Sequence, residues 1–203
     1  MISPVRSDSQ ISRATRRGQV ARWISILGHP FILIPALVAA VTVRRMPPER
    51  VALIVGIVVL VSVAPMLLLM ARQVRSGAWT NYDVSVREQR GGMYPAALVI
   101  ATATALILAW AQVPWPILQG VLAILLLIGI AALVNLRLKI SLHTAFAMFT
   151  AVALWPSRGL AAGGLVLALA IAWSRLEMGR HTLPEVIGGA LLGAAVGIGM
   201  ILL

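Results

Sequence analysis

The chain has 203 residues, 60% of them hydrophobic and 11% charged, with a mean hydropathy of +0.95; a soluble domain carries roughly 25% charged residues. Those values exclude an ordinary soluble domain, and the lack of cysteine excludes a disulfide framework, a thiolate nucleophile and a thiolate metal site. The net charge of +11 comes from 17 basic residues, all but one arginine, most of them in short loops or a tail beside apolar runs, which suits membrane orientation and phosphate binding better than nucleic acid.

Residues 1–22 hold Arg6, Arg13, Arg16, Arg17 and Arg22 with Asp8 as their one acid, and read as a basic cytoplasmic arm. The remainder, 23–203, reads as one transmembrane domain with no separate soluble unit and no repeat. A helix needs about 20 apolar residues to cross the hydrocarbon. Seven runs qualify as candidates, near 23–43, 51–71, 95–112, 115–136, 141–156, 160–174 and 184–203. The first is too long for the apolar region of a signal peptide and has no small-residue cleavage pattern, so it is read as retained. The fifth and sixth are short, and cross only if their polar ends, with Ser141 and His143 on one and Ser174 and Arg175 on the other, face a protein-lined cavity. Gly189, Gly193 and Gly197 give the last run one face for close approach by a helix of the same bundle. Trp23, Trp110, Trp115, Trp155 and Trp173 fall near span ends, as interfacial anchors do. The expected fold is all-α, a polytopic transmembrane helical bundle of about six to seven spans.

If all seven runs cross, three polar stations converge on one membrane face. The first holds Asp83, Arg87, Glu88 and Arg90; the second Arg137, Lys139, Ser141 and His143; the third Ser174, Arg175, Arg180, His181 and Glu185. Ionisable groups beside hydrocarbon are costly and mark function by default. Fixed cations, two histidines and hydroxyls form the inventory for holding a phosphate and transferring its phosphoryl group, chemistry that depends mostly on positioning and charge. Pro184 suits the first turn of a helix and sets Glu185 and the helix N-terminus beside His181. Zinc held by His143, His181 and Glu185 is the weaker alternative, since the acids are outnumbered by arginine and no two histidines form a tight helical pair. No metal and no cofactor is expected. Arg180 reads as interfacial, and His29, before Pro30, as a structural or cavity-wall residue.

The third station, Ser174-Arg175, five residues, His181, three residues and Glu185, resembles the signature Ser-Arg, five residues, His, three residues, Asp of the type-2 phosphatidic acid phosphatase superfamily. Ile140-Ser141-Leu142-His143 resembles that family's Pro-Ser-Gly-His. Arg90 stands where its Lys, six residues, Arg-Pro motif has arginine, with Asp83 in place of the lysine and Gly91 in place of the proline. The resemblance covers about residues 72–200. It implies that His181 attacks phosphorus to form a phosphohistidine, that Glu185 orients His181, and that His143 protonates the leaving oxygen and then activates water. Arg175, Arg90 and Ser141 would bind the phosphate, with Arg87 or Lys139 replacing the absent lysine. The implied substrate is a phosphomonoester or diphosphate of a polyprenyl lipid or glycerolipid in the surrounding membrane. A lipid phosphotransferase and a non-catalytic lipid-phosphate binder remain the alternatives. Enzymes resembling this family commonly work on the outer face. Here 13 of the 17 basic residues lie on the motif side, against Arg44, Arg45, Arg50 and Arg158 opposite, so the active site is expected to face the cytoplasm from the cell's inner membrane. The residues identify neither the particular lipid nor an oligomeric state.

Overall fold

Residues 15–84 and 86–203 are described by the computed structural model, and every regular element among them is helical. In chain order these are α1 (Arg16–Leu27), α2 (Pro30–Thr42), α3 (Pro48–Arg75), α4 (Arg90–Trp110), α5 (Trp115–Asn135), α6 (Leu142–Ala153), α7 (Arg158–Glu177) and α8 (Leu183–Leu202). Five of them, α3, α4, α5, α7 and α8, are long and apolar enough to cross a membrane, and α1 with α2 makes a sixth if that pair is one broken span. Helix α1 begins inside the expected basic arm, whose residues 1–14 lie outside the described residues.

Two of the expected spans differ, and each difference has a local cause. The first run is broken, with α1 and α2 bent by 52°. Pro30 cannot donate to the helix and pushes His29 into extended backbone (φ −66°, ψ 139°), while Gly28 lies so close to the Ile171 side chain that a Cβ would collide with it. The sixth run is a full 20-residue helix, because Arg158 starts it early and Arg175, Leu176 and Glu177 extend it. The fifth is short. Its 12 residues span about 18 Å, against a hydrocarbon core of about 30 Å.

Helix α3 holds one more irregularity. Val58–Val63 form a π-helical turn in which the Ala64 amide bonds to the Val59 carbonyl, five residues back. Pro65 follows, and the wider turn relieves the clash its ring would make with the carbonyl four residues earlier. At this turn Ser62 Oγ meets Thr104 Oγ1 of α4 at 2.7 Å.

The glycines of α8 locate the centre of the bundle. A Cβ on Gly189 would strike the Ser141 carbonyl, one on Gly193 the Ala145 carbonyl, and one on Gly197 would lie 2.9 Å from the Val152 side chain. Helices α6 and α8 therefore run parallel with their backbones nearly touching, and α7, whose Gly164 packs on Ala151, returns between the ends they share. The Ser141 amide donates to the Glu185 carbonyl at 3.0 Å, which ties the two N-termini together. At the far end the Gln119 side chain donates to the Met200 carbonyl, and a cavity of about 480 Å³ lies beyond the C-terminus of α6, with Arg44 and Arg45 among its lining. The three polar stations accordingly meet at one end of the bundle.

Candidate active site

The end of α7 and the start of α8 build the first half of the site. Gly179, at φ 60°, turns the chain so that the Arg180 and His181 amides both bond to the Arg175 carbonyl, at 3.1 and 3.3 Å. Thr182 then caps α8 in a capping box with Glu185, whose Oε2 accepts the Thr182 amide at 3.3 Å. The same Oε2 lies 2.7 Å from His181 Nδ1 and 3.4 Å from Lys139 Nζ. A capping box needs a side chain long enough to reach back to the cap, so glutamate in place of aspartate meets two demands with one carboxylate. Burial, followed by Arg175 and Lys139, lowers the His181 pKa well below its ordinary value and keeps the imidazole neutral. With Nδ1–H donated to Glu185, the Nε2 lone pair is left for chemistry.

Asp83 organises the second half. Arg175 is fully buried, and its Nη1 donates to Asp83 Oδ2 at 3.0 Å and to Ser25 Oγ of α1 at 2.7 Å. Arg180 Nε stands 4.0 Å from the same carboxylate oxygen, so this residue belongs to the cluster and not to the membrane interface expected from its sequence position. The other oxygen, Oδ1, faces His143 Nε2 at 3.9 Å. Burial pulls the Asp83 pKa up, but Arg175 and Arg180 more than offset it and hold the carboxyl below the usual range. His29 caps α2, accepting the Phe31 amide on Nδ1 at 3.2 Å, and its ring packs edge-on to His143 with centroids 4.8 Å apart.

The expected phosphate ligands divide. Arg90 is buried, with Nε on the Val84 carbonyl at 2.9 Å and Nη1 on the Ile140 carbonyl at 2.8 Å, so it joins the first and second stations. Lys139 also donates to the Arg180 carbonyl at 2.9 Å, which holds it beside Glu185. Ser141 is buried and caps α6, accepting the Thr144 hydroxyl at 2.9 Å and the Thr144 amide at 3.4 Å. Arg87 faces elsewhere: its Nη1 donates to the Arg137 carbonyl at 3.0 Å, near the end of α5, and its side chain is 41% exposed.

Two buried nitrogens in this cluster have no hydrogen-bond partner, Arg175 Nε and His143 Nε2. Burying a neutral group without a partner costs roughly 1–3 kcal/mol, and a charged one such as the Arg175 guanidinium costs more. Below them a cavity of about 130 Å³ runs from His29, Asp83, Arg90 and His143 into an apolar chamber walled by Met66, Met70 and Met93 and reaching the Ser62–Thr104 pair. His29, Asp83 and His143 each bring a ligand atom to within 4.8 Å of the others, the one metal-capable grouping among the described residues. Arg175, Arg180, Arg90 and Lys139 oppose a divalent cation there, since four cations already face two carboxylates. The surplus positive charge suits an anion.

No protein-family model, no curated protein and no solved structure matches this chain. Fold and site define a class on their own terms: a membrane-spanning all-α bundle with a buried polar cluster centred on histidine and aspartate near one face.

Proposed function

We propose that this chain is a metal-independent lipid phosphatase, hydrolysing a phosphomonoester or diphosphate of a polyprenyl lipid or glycerolipid through a phosphohistidine on His181. The observation that carries the reading is the 2.7 Å contact between His181 Nδ1 and Glu185, at an end of the bundle where Arg175 Nε and His143 Nε2 lie buried without partners. His181 Nε2 attacks phosphorus as the bond to the leaving oxygen breaks. His143 gives that oxygen its proton, then takes one from the water that attacks the phosphohistidine, and the electron pair of the P–N bond returns to His181. Arg175, Lys139, Arg90 and the Ser141 end of α6 supply the charge and dipoles that meet the phosphoryl oxygens. The apolar chamber beneath the cluster supports an amphiphilic substrate, because a water-soluble phosphate has no use for it.

The purified protein is therefore expected to release phosphate from a panel of polyprenyl and glycerolipid phosphates. Turnover should survive a chelator and stop with vanadate, which mimics the five-coordinate transition state. Activity lost on chelation and restored by one divalent metal would refute the metal-free mechanism. Phosphorylated acceptor without free phosphate would make the protein a transferase, and tight binding without release would make it a binder.

The same reading places the site at the cytoplasmic face of the inner membrane. Among the described residues Arg44, Arg45, Arg50 and Arg158 are the four basic ones expected at the opposite end, and positive charge near span ends is retained in the cytoplasm. The chain has no cysteine, so Ser76→Cys and Ser157→Cys each introduce a single thiol. On intact cells an impermeant thiol reagent should label the thiol at position 157 and spare the one at 76. The reverse pattern would put the headgroup site on the outer face.

A further inference from the structure

Under the proposed mechanism His143 must carry its proton on the nitrogen that meets the leaving oxygen, and its surroundings work against that. Burial disfavours positive charge on the His143 ring most, and Arg175, His29, His181 and Arg90 act in the same direction. One acid faces it. Asp83 points Oδ1 at His143 Nε2, 3.9 Å away, while its other oxygen is fixed by Arg175 Nη1 at 3.0 Å with Arg180 Nε at 4.0 Å. His143 Nε2 is buried and has no hydrogen-bond partner, and the cavity lined by His143 and Asp83 lies beside it.

The backbone next to Asp83 is held in a costly shape. Val84 is buried, β-branched and at φ 43°, a left-handed conformation that such side chains rarely adopt. Its carbonyl accepts the Arg90 guanidinium, which pins the strained residue in place. Strain of this kind persists where surrounding contacts over-determine it, and it clusters at sites where a neighbouring group must be aimed. Here the neighbouring group is Asp83.

We infer that Asp83 is a positioning residue for His143: its Oδ1 keeps the proton on Nε2 until the leaving oxygen arrives from the adjoining cavity, while Oδ2 is anchored by Arg175. The inference rests on the phosphatase reading. It adds a residue whose charge is opposite to that of the lysine expected at this place in the chain. The distance of 3.9 Å is that of a site without substrate, where catalytic hydrogen bonds are commonly long and tighten in the reactive complex.

The dependence of rate on the leaving group separates this role from simple support of Arg175. A general acid matters for an alkyl oxygen, a poor leaving group, and hardly at all for a nitrophenolate, which departs without a proton. Wild type, Asp83→Asn and Asp83→Glu would be compared in the full-length protein on a long-chain alkyl phosphate and on an alkyl-substituted nitrophenyl phosphate, with vanadate affinity measured alongside. For Asp83→Asn the expected result is a loss of kcat of about 100-fold on the alkyl substrate and under about threefold on the aryl one, the lower end of what a general acid supplies. Vanadate affinity should stay within about threefold, and Asp83→Glu should recover part of the alkyl rate. Equal losses on both substrates, unchanged rates on both, or weakened vanadate binding would overturn the inference, the last by assigning Asp83 to Arg175 alone. Wild-type protein that releases phosphate from neither substrate would instead sink the underlying phosphatase reading.

Discussion

Replacing His181 with alanine is expected to lower kcat by about 10⁵-fold, close to 7 kcal/mol of transition-state stabilisation, and to abolish the acid-quenched phosphoenzyme formed from labelled substrate. On the proposed mechanism the magnitude follows from losing the atom that would bond to phosphorus, which leaves the other groups able to bind the phosphate but with nothing to transfer it to. Glu185→Gln tests the partner without removing the helix cap, because glutamine also serves at the third position of a capping box. Its expected loss is about 10²–10⁴-fold, since an amide can hold His181 in the wrong tautomer and cannot balance the charge on the phosphohistidine. A phosphoenzyme that persists in His181→Ala would move the nucleophile elsewhere, and His143 would then be the first residue to examine.

The second large effect is expected at a residue far from any reacting atom. Gly193→Val would drive its side chain into the Ala145 carbonyl, and backbone cannot yield there as a flexible side chain would. Either α8 leaves α6 or both helices bend. Association of helices within the membrane rests on close packing more than on hydrophobic burial, so separation forfeits its main term. A cost of about 3 kcal/mol is expected, seen as a fall of roughly 6–12 °C in the thermal transition of the solubilised protein for a chain of this length. Activity should fall as well, because the Ser141–Glu185 backbone bond spans the same contact. Gly199→Ala is the control: a Cβ there meets nothing within 4 Å, and alanine favours helix, so stability should hold or rise. A Gly193→Val protein as stable as wild type would show that the α6–α8 contact can open at little cost.

Much of the site could be read from the chain because its geometry is local. His181 and Glu185 are four residues apart across a helix start, and Ser174-Arg175 close the preceding helix, so one turn of known type brings them together. Convergence of the stations was expected from seven crossings; five helices, or six with the broken pair, are long and apolar enough to cross, yet Asp83, His143 and Arg175 still meet at one end of the bundle. What stayed hidden depends on contacts between distant segments. In the sequence Asp83 is a mismatch to a lysine motif, and its place between Arg175 and His143 depends on the packing of distant segments. Arg87 and Arg90 are near neighbours in one station, yet one turns to the carbonyl of Arg137 and the other into the bundle, a choice set by which carbonyls lie within reach. His29 did carry a signal, the Gly28-His29-Pro30 triplet that breaks the first span, but its closeness to His143 comes only from the docking of α2 on α6.

The ion pair at the heart of the cluster joins residues 92 positions apart, and the hydroxyl that shares the guanidinium stands 150 positions before it. A ribosome adding about 5–20 residues per second needs roughly 5–20 s to travel from Asp83 to Arg175. Through that interval the half-made protein holds an aspartate at the membrane with its counter-charge not yet synthesised, and α1 waits longer still for the helix it will bind. The three stations therefore close only after α7 has been made, and a chain stalled before it would hold Asp83 and Ser25 without the guanidinium that joins them.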